Sequence, residues 1–247
     1  MKRLLPAALA LAFALAGCFG TETGNPSLAL VSIDTHSSDP ASVSVREATG
    51  QLVIDEAWIG FGAIALVPEG GCPGGGGAIA SGLLGAGDHA APGALSFDIE
   101  LADSASFCGL VAPFTPPLGA LPAGAPPELA GRALVLLGHL ADGTPVRITS
   151  AFEGEVLVRD AGGGSFALEE DAPGLLVGLD VARWLSGVDL SGAAREPDGS
   201  IVLDDTRNAA LRDALDARVP EGVELYRDEG ADGVLDPVPV LIGRGSI

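Results

Sequence analysis

Apolar and polar positions alternate along much of this chain with the two-residue period of half-buried strands. The clearest case is Leu95 to Leu101, where Leu95, Phe97, Ile99 and Leu101 fall on one face. Leu52 to Val67 is a longer run, rich in β-branched and aromatic residues such as Val53, Ile54, Trp58 and Ile59. It reads as one or two strands, with Gly60 and Gly62 as bulge positions. Leu28 to Ile33, Phe107 to Val111 and Leu175 to Leu179 add short apolar strands. Ala133 to Leu140 and Val146 to Phe152 flank Asp142-Gly143, a dipeptide that accepts the positive φ angles of a tight hairpin. Val156 to Val158 and Phe166 to Leu168 flank Gly162 to Gly164 in the same manner, so two successive hairpins predict a meander.

Helical spacing is rare. Asp180 is placed to cap a short helical turn bearing Trp184. Ala210, Leu211, Ala214, Leu215 and Val219 share one helical face, with Asp205 or Thr206 as N-cap and Pro220 as the stop. About eight short strands with regular turns and little helix predict a mainly β chain. The architecture expected is an antiparallel β-sandwich of immunoglobulin-like or transthyretin-like kind with one or two short helices. Pro113 to Pro127 is a proline-rich connector that either wraps an edge or divides residues 45–247 into two subdomains.

Residues before this region follow another logic. Lys2 and Arg3 precede an apolar run, Leu4 to Ala16, that is too short for a membrane span of about 20 residues and has the layout of an export signal. Residues 18–44 are rich in Thr, Ser, Gly, Asn and Pro and read as a flexible tether. Between the two stands Leu15-Ala16-Gly17-Cys18. This box resembles that of bacterial lipoprotein precursors, in which the thiol is alkylated with a diacylglyceryl group, the peptide is cut before the cysteine, and the new amine is acylated. The resemblance implies a signal peptide over 1–17, a mature chain beginning at a lipidated Cys18, and attachment to the membrane of the bacterial envelope. Several acyl chains on one residue give a practically permanent anchor. Phe19 stands where enteric lipoproteins retained in the inner membrane carry aspartate, so the outer membrane is favoured. The rival reading takes Ala14 and Ala16 as an ordinary small-x-small site and releases a soluble chain from Gly17.

Cysteine parity separates the two. The chain has 3 cysteines, and lipidation of Cys18 leaves Cys72 and Cys108 as an even pair for one disulfide in an oxidising compartment. The closed loop of about 35 residues would contribute about 4 kcal/mol in the chain-entropy account. Ordinary cleavage would leave an odd thiol on a secreted protein.

Charge narrows the function classes further. The formal net charge is −20, and loss of Lys2 and Arg3 with the signal takes it to −22. Such a chain repels phosphate backbones, so no nucleic-acid partner is expected. Lys2 is the sole lysine, which removes Schiff-base and phosphate-loop lysine chemistry from a mature chain. Trp58, Trp184 and the single Tyr226 are far apart and are expected in the core.

One segment has the look of a cation site. Asp228, Asp232 and Asp236 fall at positions 1, 5 and 9 of a calcium-type loop, Gly233 at position 6, and the Val234 carbonyl would add an oxygen. Gly230 at position 3 and Pro239 at position 12 depart from that pattern. The three histidines, His36, His89 and His139, lack ligand spacing and are expected at the surface or in strands, with His89 beside Asp88 as the local pairing to inspect. No Gly-x-Ser-x-Gly elbow occurs, and Asp34-Thr35-His36 lacks the glycine of an aspartic-protease loop. The expected protein is thus a lipid-anchored, non-enzymatic binding or structural module of the envelope, acting on an unidentified envelope protein or ligand and without a cofactor. A calcium-dependent adhesion module is the alternative. A hydrolase whose acids converge only in the fold, such as Asp204 and Asp228, would show two carboxylates of raised pKa in one cleft.

Overall fold

The computed structural model describes residues 27–36, 52–70, 78–81, 84–90, 95–101, 106–160, 162–168, 174–230 and 233–246. The chain is mainly β, as the alternation predicts, and two sheets close over one core. The strands are β1 (Ser27–His36), β2 (Leu52–Gly60), β3 (Ala65–Pro68), β4 (Ile79–Ala80), β5 (Ala86–Asp88), β6 (Ser96–Leu101), β7 (Ser106–Phe114) and β8 (Leu134–Leu140). They continue with β9 (Pro145–Thr149), β10 (Gly154–Asp160), β11 (Phe166–Ala167), β12 (Gly174–Asp180), β13 (Ile201–Leu203), β14 (Val223–Asp228) and β15 (Val240–Ser246). The larger sheet runs β4-β3-β7-β10-β15-β14-β12-β1-β6 with β11 also on β7, and the smaller runs β13-β9-β8-β2-β5. Leu134 and Ile148 of the smaller sheet and Leu110 and Val177 of the larger belong to one buried cluster, which makes the two layers a sandwich.

The long apolar run from Leu52 to Val67 supplies a strand to each layer. β2 lies in the smaller sheet and β3 in the larger. The crossing needs Gly60, where a Cβ would stand 2.3 Å from the Thr115 carbonyl oxygen. Gly60 therefore marks a close approach of backbones, while the register shift in β2 falls between Ile54 and Glu56.

Alternation decides what each face covers. Leu134 and Leu136 of β8 enter the main core, whereas Val135 points to the outside of the smaller sheet and packs with Trp58 and Leu129. The proline-rich connector lays Leu121 and Ala125 on that second cluster, so it wraps the sheet. Phe114 before the connector and Leu134 after it share the main core.

The first expected hairpin forms. β8 and β9 pair antiparallel, Gly143 has φ +83°, and the Asp142 carboxylate accepts the Thr144 N–H at 2.9 Å. The second does not. β10 already has β7 on one edge and β15 on the other, so β11 pairs with β7 beyond the end of β10 and Phe166 comes opposite Phe107. Two strand pairs, β1 with β12 and β9 with β13, are parallel, because each joins segments separated by long excursions of chain. β1 contains the Leu28 to Ile33 patch, so residues 27–36 of the expected tether are part of the larger sheet.

Among the described residues there are two α-helices. α1 (Val181–Leu185) is capped as expected, with Asp180 accepting the Arg183 N–H. α2 (Ala209–Asp216) starts later than expected, after Asn208 in the left-handed region at φ 49°. Neither Asp205 nor Thr206 caps it. Asp205 pairs with Arg132 and Arg212, and Thr206 donates to Asp204 at 2.9 Å. The Asn208 amide ties Ala194 to Val202 by accepting the Ala194 N–H and donating to both carbonyls.

Candidate functional site

Burial separates the candidate residues before any chemistry is assigned. Cys18, Cys72 and Asp232 lie outside the described residues. Cys108 is buried in β7 with Sγ 3.3 Å from the Pro68 carbonyl oxygen. Asp228 ends β14, is buried, and accepts the Gly233 N–H at 2.9 Å, closing its turn from one side. Val234 is half exposed at 50%, and Leu235 turns inward onto Leu176, Tyr226 and Leu241. Asp236 is half-buried. Among the described residues no group of three His, Cys, Asp or Glu side chains converges as a metal set.

The aromatic residues take the core places expected of them: Trp58, Trp184 and Tyr226 are all buried. Of the histidines, His36 lies in β1 and His139 in β8, as expected, with His139 half-buried and 2.8 Å from Asp55, whereas His89 is buried and sits edge-on to Phe61 at 5.6 Å. One Asp88 oxygen accepts the N–H groups of Ala57 and Ala90.

The densest polar chemistry lies where β12, α1, β14 and β15 meet. Two-residue spacing puts Glu224, Tyr226 and Asp228 on one face of β14, and all three are buried. Register sets Gly178 on one side of Glu224 and Arg244 on the other. Glu224 accepts from the Tyr226 hydroxyl at 2.5 Å and from Arg244 Nε at 2.7 Å. Arg183 bridges two buried acids, with Nε 3.3 Å from Asp180 and Nη2 3.7 Å from Glu224. Two carboxylates thus face two guanidinium groups, and the arginine side chains still reach water. The hydrogen bond to Glu224 raises the Arg244 pKa against the cost of its partial burial.

Burial, then the hydrogen bond to Glu224 and that carboxylate's charge, push the Tyr226 hydroxyl well above the usual phenol range, with Arg244 opposing. A raised folded-state value means that the contribution to stability is fully present below the unfolded value of about 10 and is lost as pH rises beyond it. With one tyrosine and one lysine in the chain, this is readable without overlap. Tyrosinate absorbance should appear above about pH 10 only together with loss of the far-ultraviolet circular dichroism of the fold. Tyrosinate formed while that signal is intact would contradict the Glu224 bond.

A second network fastens α2. Ser150 donates to Asp216 at 2.5 Å, the Ala151 N–H donates at 3.1 Å, and Arg212 Nε lies 3.5 Å away. Burial raises the Asp216 pKa against these partners. Asp204 follows β13 in the smaller sheet, and Asp228 ends β14 in the larger. Partial burial would raise the Asp204 pKa, but the N–H groups of Thr206 and Arg207 outweigh it and hold the carboxyl at about 2, opposite to the shift an acid catalyst needs.

An open concave place lies on the β3-β7-β10 side of the larger sheet. Asp160 accepts the N–H groups of Gly162 and Gly164 at 3.0 and 2.8 Å, shaping the three-glycine turn. Beside that turn is a cavity of about 430 Å³ lined by Glu69, Cys108, Arg159, Asp160 and the Gly163 to Ser165 segment. Neighbouring strands build it. Glu69 follows β3, Cys108 lies in β7 and Arg159 in β10, with Gly109 opposite both Val67 and Arg159.

Glu69, Arg159, Arg183, Glu224 and Arg244 are not marked by any motif. The one local signal was the spacing of Glu224, Tyr226 and Asp228 on a single strand face, which sets polar groups where apolar ones are usual.

Compared with known proteins, the chain matches no protein family and no curated sequence. Among solved structures it is similar to MbnP from Methylosinus trichosporium, at 12% identity and a TM-score of 0.37, over 87% of this chain and 98% of that one. A likeness of that size carries no ligand or role across.

Proposed function

We propose that this chain is a lipid-anchored extracytoplasmic protein of the bacterial envelope, held through Cys18, that works as a non-enzymatic binding module. The observation that carries the binding part is the open cavity beside the three-glycine turn, with a guanidinium and a carboxylate on its walls. Matched charges favour binding over hydrolysis at the β14 network, since the buried acids Asp180 and Glu224 are each met by arginine. The address rests on the Leu15 to Cys18 box and the apolar run before it. A Cys72 to Cys108 disulfide belongs to the same reading. Its support is cysteine parity, together with the burial of Cys108 in β7 beside the turn that follows β3. Phe19 after the anchor favours the outer membrane.

Intact mass of the protein isolated from membranes tests the anchor. The expected product starts at Cys18 and carries acyl chains, and an unmodified chain starting at Gly17 would overturn it. Calcium tests the adhesion alternative. On the binding-module reading the melting temperature should stay unchanged on adding calcium to about 1 mM, the working range of extracellular sites. A calcium-dependent rise would move the assignment to the 228–236 loop.

A further inference from the structure

We propose that the cavity between the ends of β3, β7 and β10 binds a free α-amino acid, its carboxylate on Arg159 and its ammonium on Glu69. The charges of the cavity are arranged for a ligand that carries both signs. Arg132, Arg147, Arg183, Arg207 and Arg244 are all ion-paired with carboxylates. Arg159, like Arg218 and Arg227, has no ion pair among the described residues, and of these three it is the one that lines the cavity of a chain with net charge −20. Among the described residues neither Arg159 nor Glu69 has an ion-pair partner, and they do not pair with one another across the cavity.

Asp160 holds the amides of Gly162 and Gly164 through one carboxylate oxygen and adds negative potential beside Glu69. A simple anion on Arg159 would meet repulsion from Glu69 and Asp160, and a simple cation would leave the guanidinium unmatched. A zwitterion satisfies both, and the guanidinium fork suits a carboxylate. Lys2 is the only lysine, so no lysine ammonium from the mature chain can occupy the acidic side. The volume of about 430 Å³ lies in the range of small-ligand sites, roughly 300–1,000 Å³, and admits a side chain as well as the backbone groups.

This deepens the binding part of the proposed function and rests on it alone; the anchor is read separately, from the mass at Cys18. The test is thermal melting and calorimetric titration of the purified full chain, in detergent, with each of the common L-amino acids in turn. Acetate and ethylamine serve as half-molecule controls. At least one amino acid should raise the melting temperature, while acetate and ethylamine do not. Arg159→Gln and Glu69→Gln should each weaken that binding by about tenfold or more, the size of a lost charge-assisted contact. Arg159→Lys should retain part of it. Both residues are exposed, so the unliganded variants should melt with the parent, which separates lost binding from lost folding. No shift with any amino acid at millimolar concentration overturns the proposal, as does binding indifferent to both substitutions. A shift by acetate equal to that of the amino acids also overturns it, while keeping the binding reading for a plain anion.

Discussion

Trp184→Ala should destabilise the protein by about 3–5 kcal/mol, the range for removing a large aromatic side chain from a packed core. Trp184 is fully buried and meets Phe114 in a T-shaped contact at 6.4 Å. It also presses on the turn before β14, where a Cβ at Gly222 would lie 2.3 Å from its Nε1 and 2.8 Å from the Asp180 carbonyl oxygen. Its indole N–H has no hydrogen-bond partner among the described residues, so the loss is one of packing. Trp184→Phe should therefore cost less than the alanine change. The reverse change, Gly222→Ala, overpacks the same contact and should cost about 1–3 kcal/mol on its own. In the Trp184→Ala background the cost should shrink, because the atom it strikes is gone. Urea unfolding of the parent and the four variants checks this; a loss below about 1 kcal/mol for Trp184→Ala would contradict the packing account.

Glu224→Leu should cost about 2–4 kcal/mol. Removing one member of a buried ion pair costs about 3–5 kcal/mol when the partner is also buried. Here Arg183 and Arg244 can turn to water, being 31% and 52% exposed, which lowers the figure. What remains is the Tyr226 hydroxyl, which loses the carboxylate it donates to at 2.5 Å. Tyr226→Phe should accordingly be destabilising in the parent and close to neutral in the Glu224→Leu background. The coupling read from this cycle should be about 1–2 kcal/mol, and additivity within about 0.5 kcal/mol would show that the bond contributes nothing.

Strands were legible from the sequence where one face is buried and the other is wet, because there the pattern has a period. Ser96–Leu101 and the Asp142-Gly143 hairpin came out of local pattern and turn chemistry alone. The Gly162 to Gly164 turn looked the same, yet it joins strands that do not pair, since both edges of β10 were already taken. Pairing partners are a property of the whole sheet. The α2 cap failed for a related reason: Asp205 had arginines within reach that its neighbours in sequence do not reveal.

The candidate site was legible in smaller part. Asp228 stands out in the sequence by its spacing to Asp232 and Asp236, and in the fold its carboxylate accepts the Gly233 N–H. Glu224, four residues earlier, had no motif to announce it and is the centre of the buried network. Arg159 and Glu69 are ninety residues apart and meet at one cavity only because β3 and β10 both pair with β7.

Composition, the strand class and the scarcity of helix are all written in residue order, because charge, hydropathy and turn preference act over a few residues. Which strand pairs with which, which acid meets an arginine and which arginine is left to face a cavity were decided by the tertiary fold. Those outcomes depend on distances between residues far apart in the chain, and burial in a shared core is what brings them within hydrogen-bonding range.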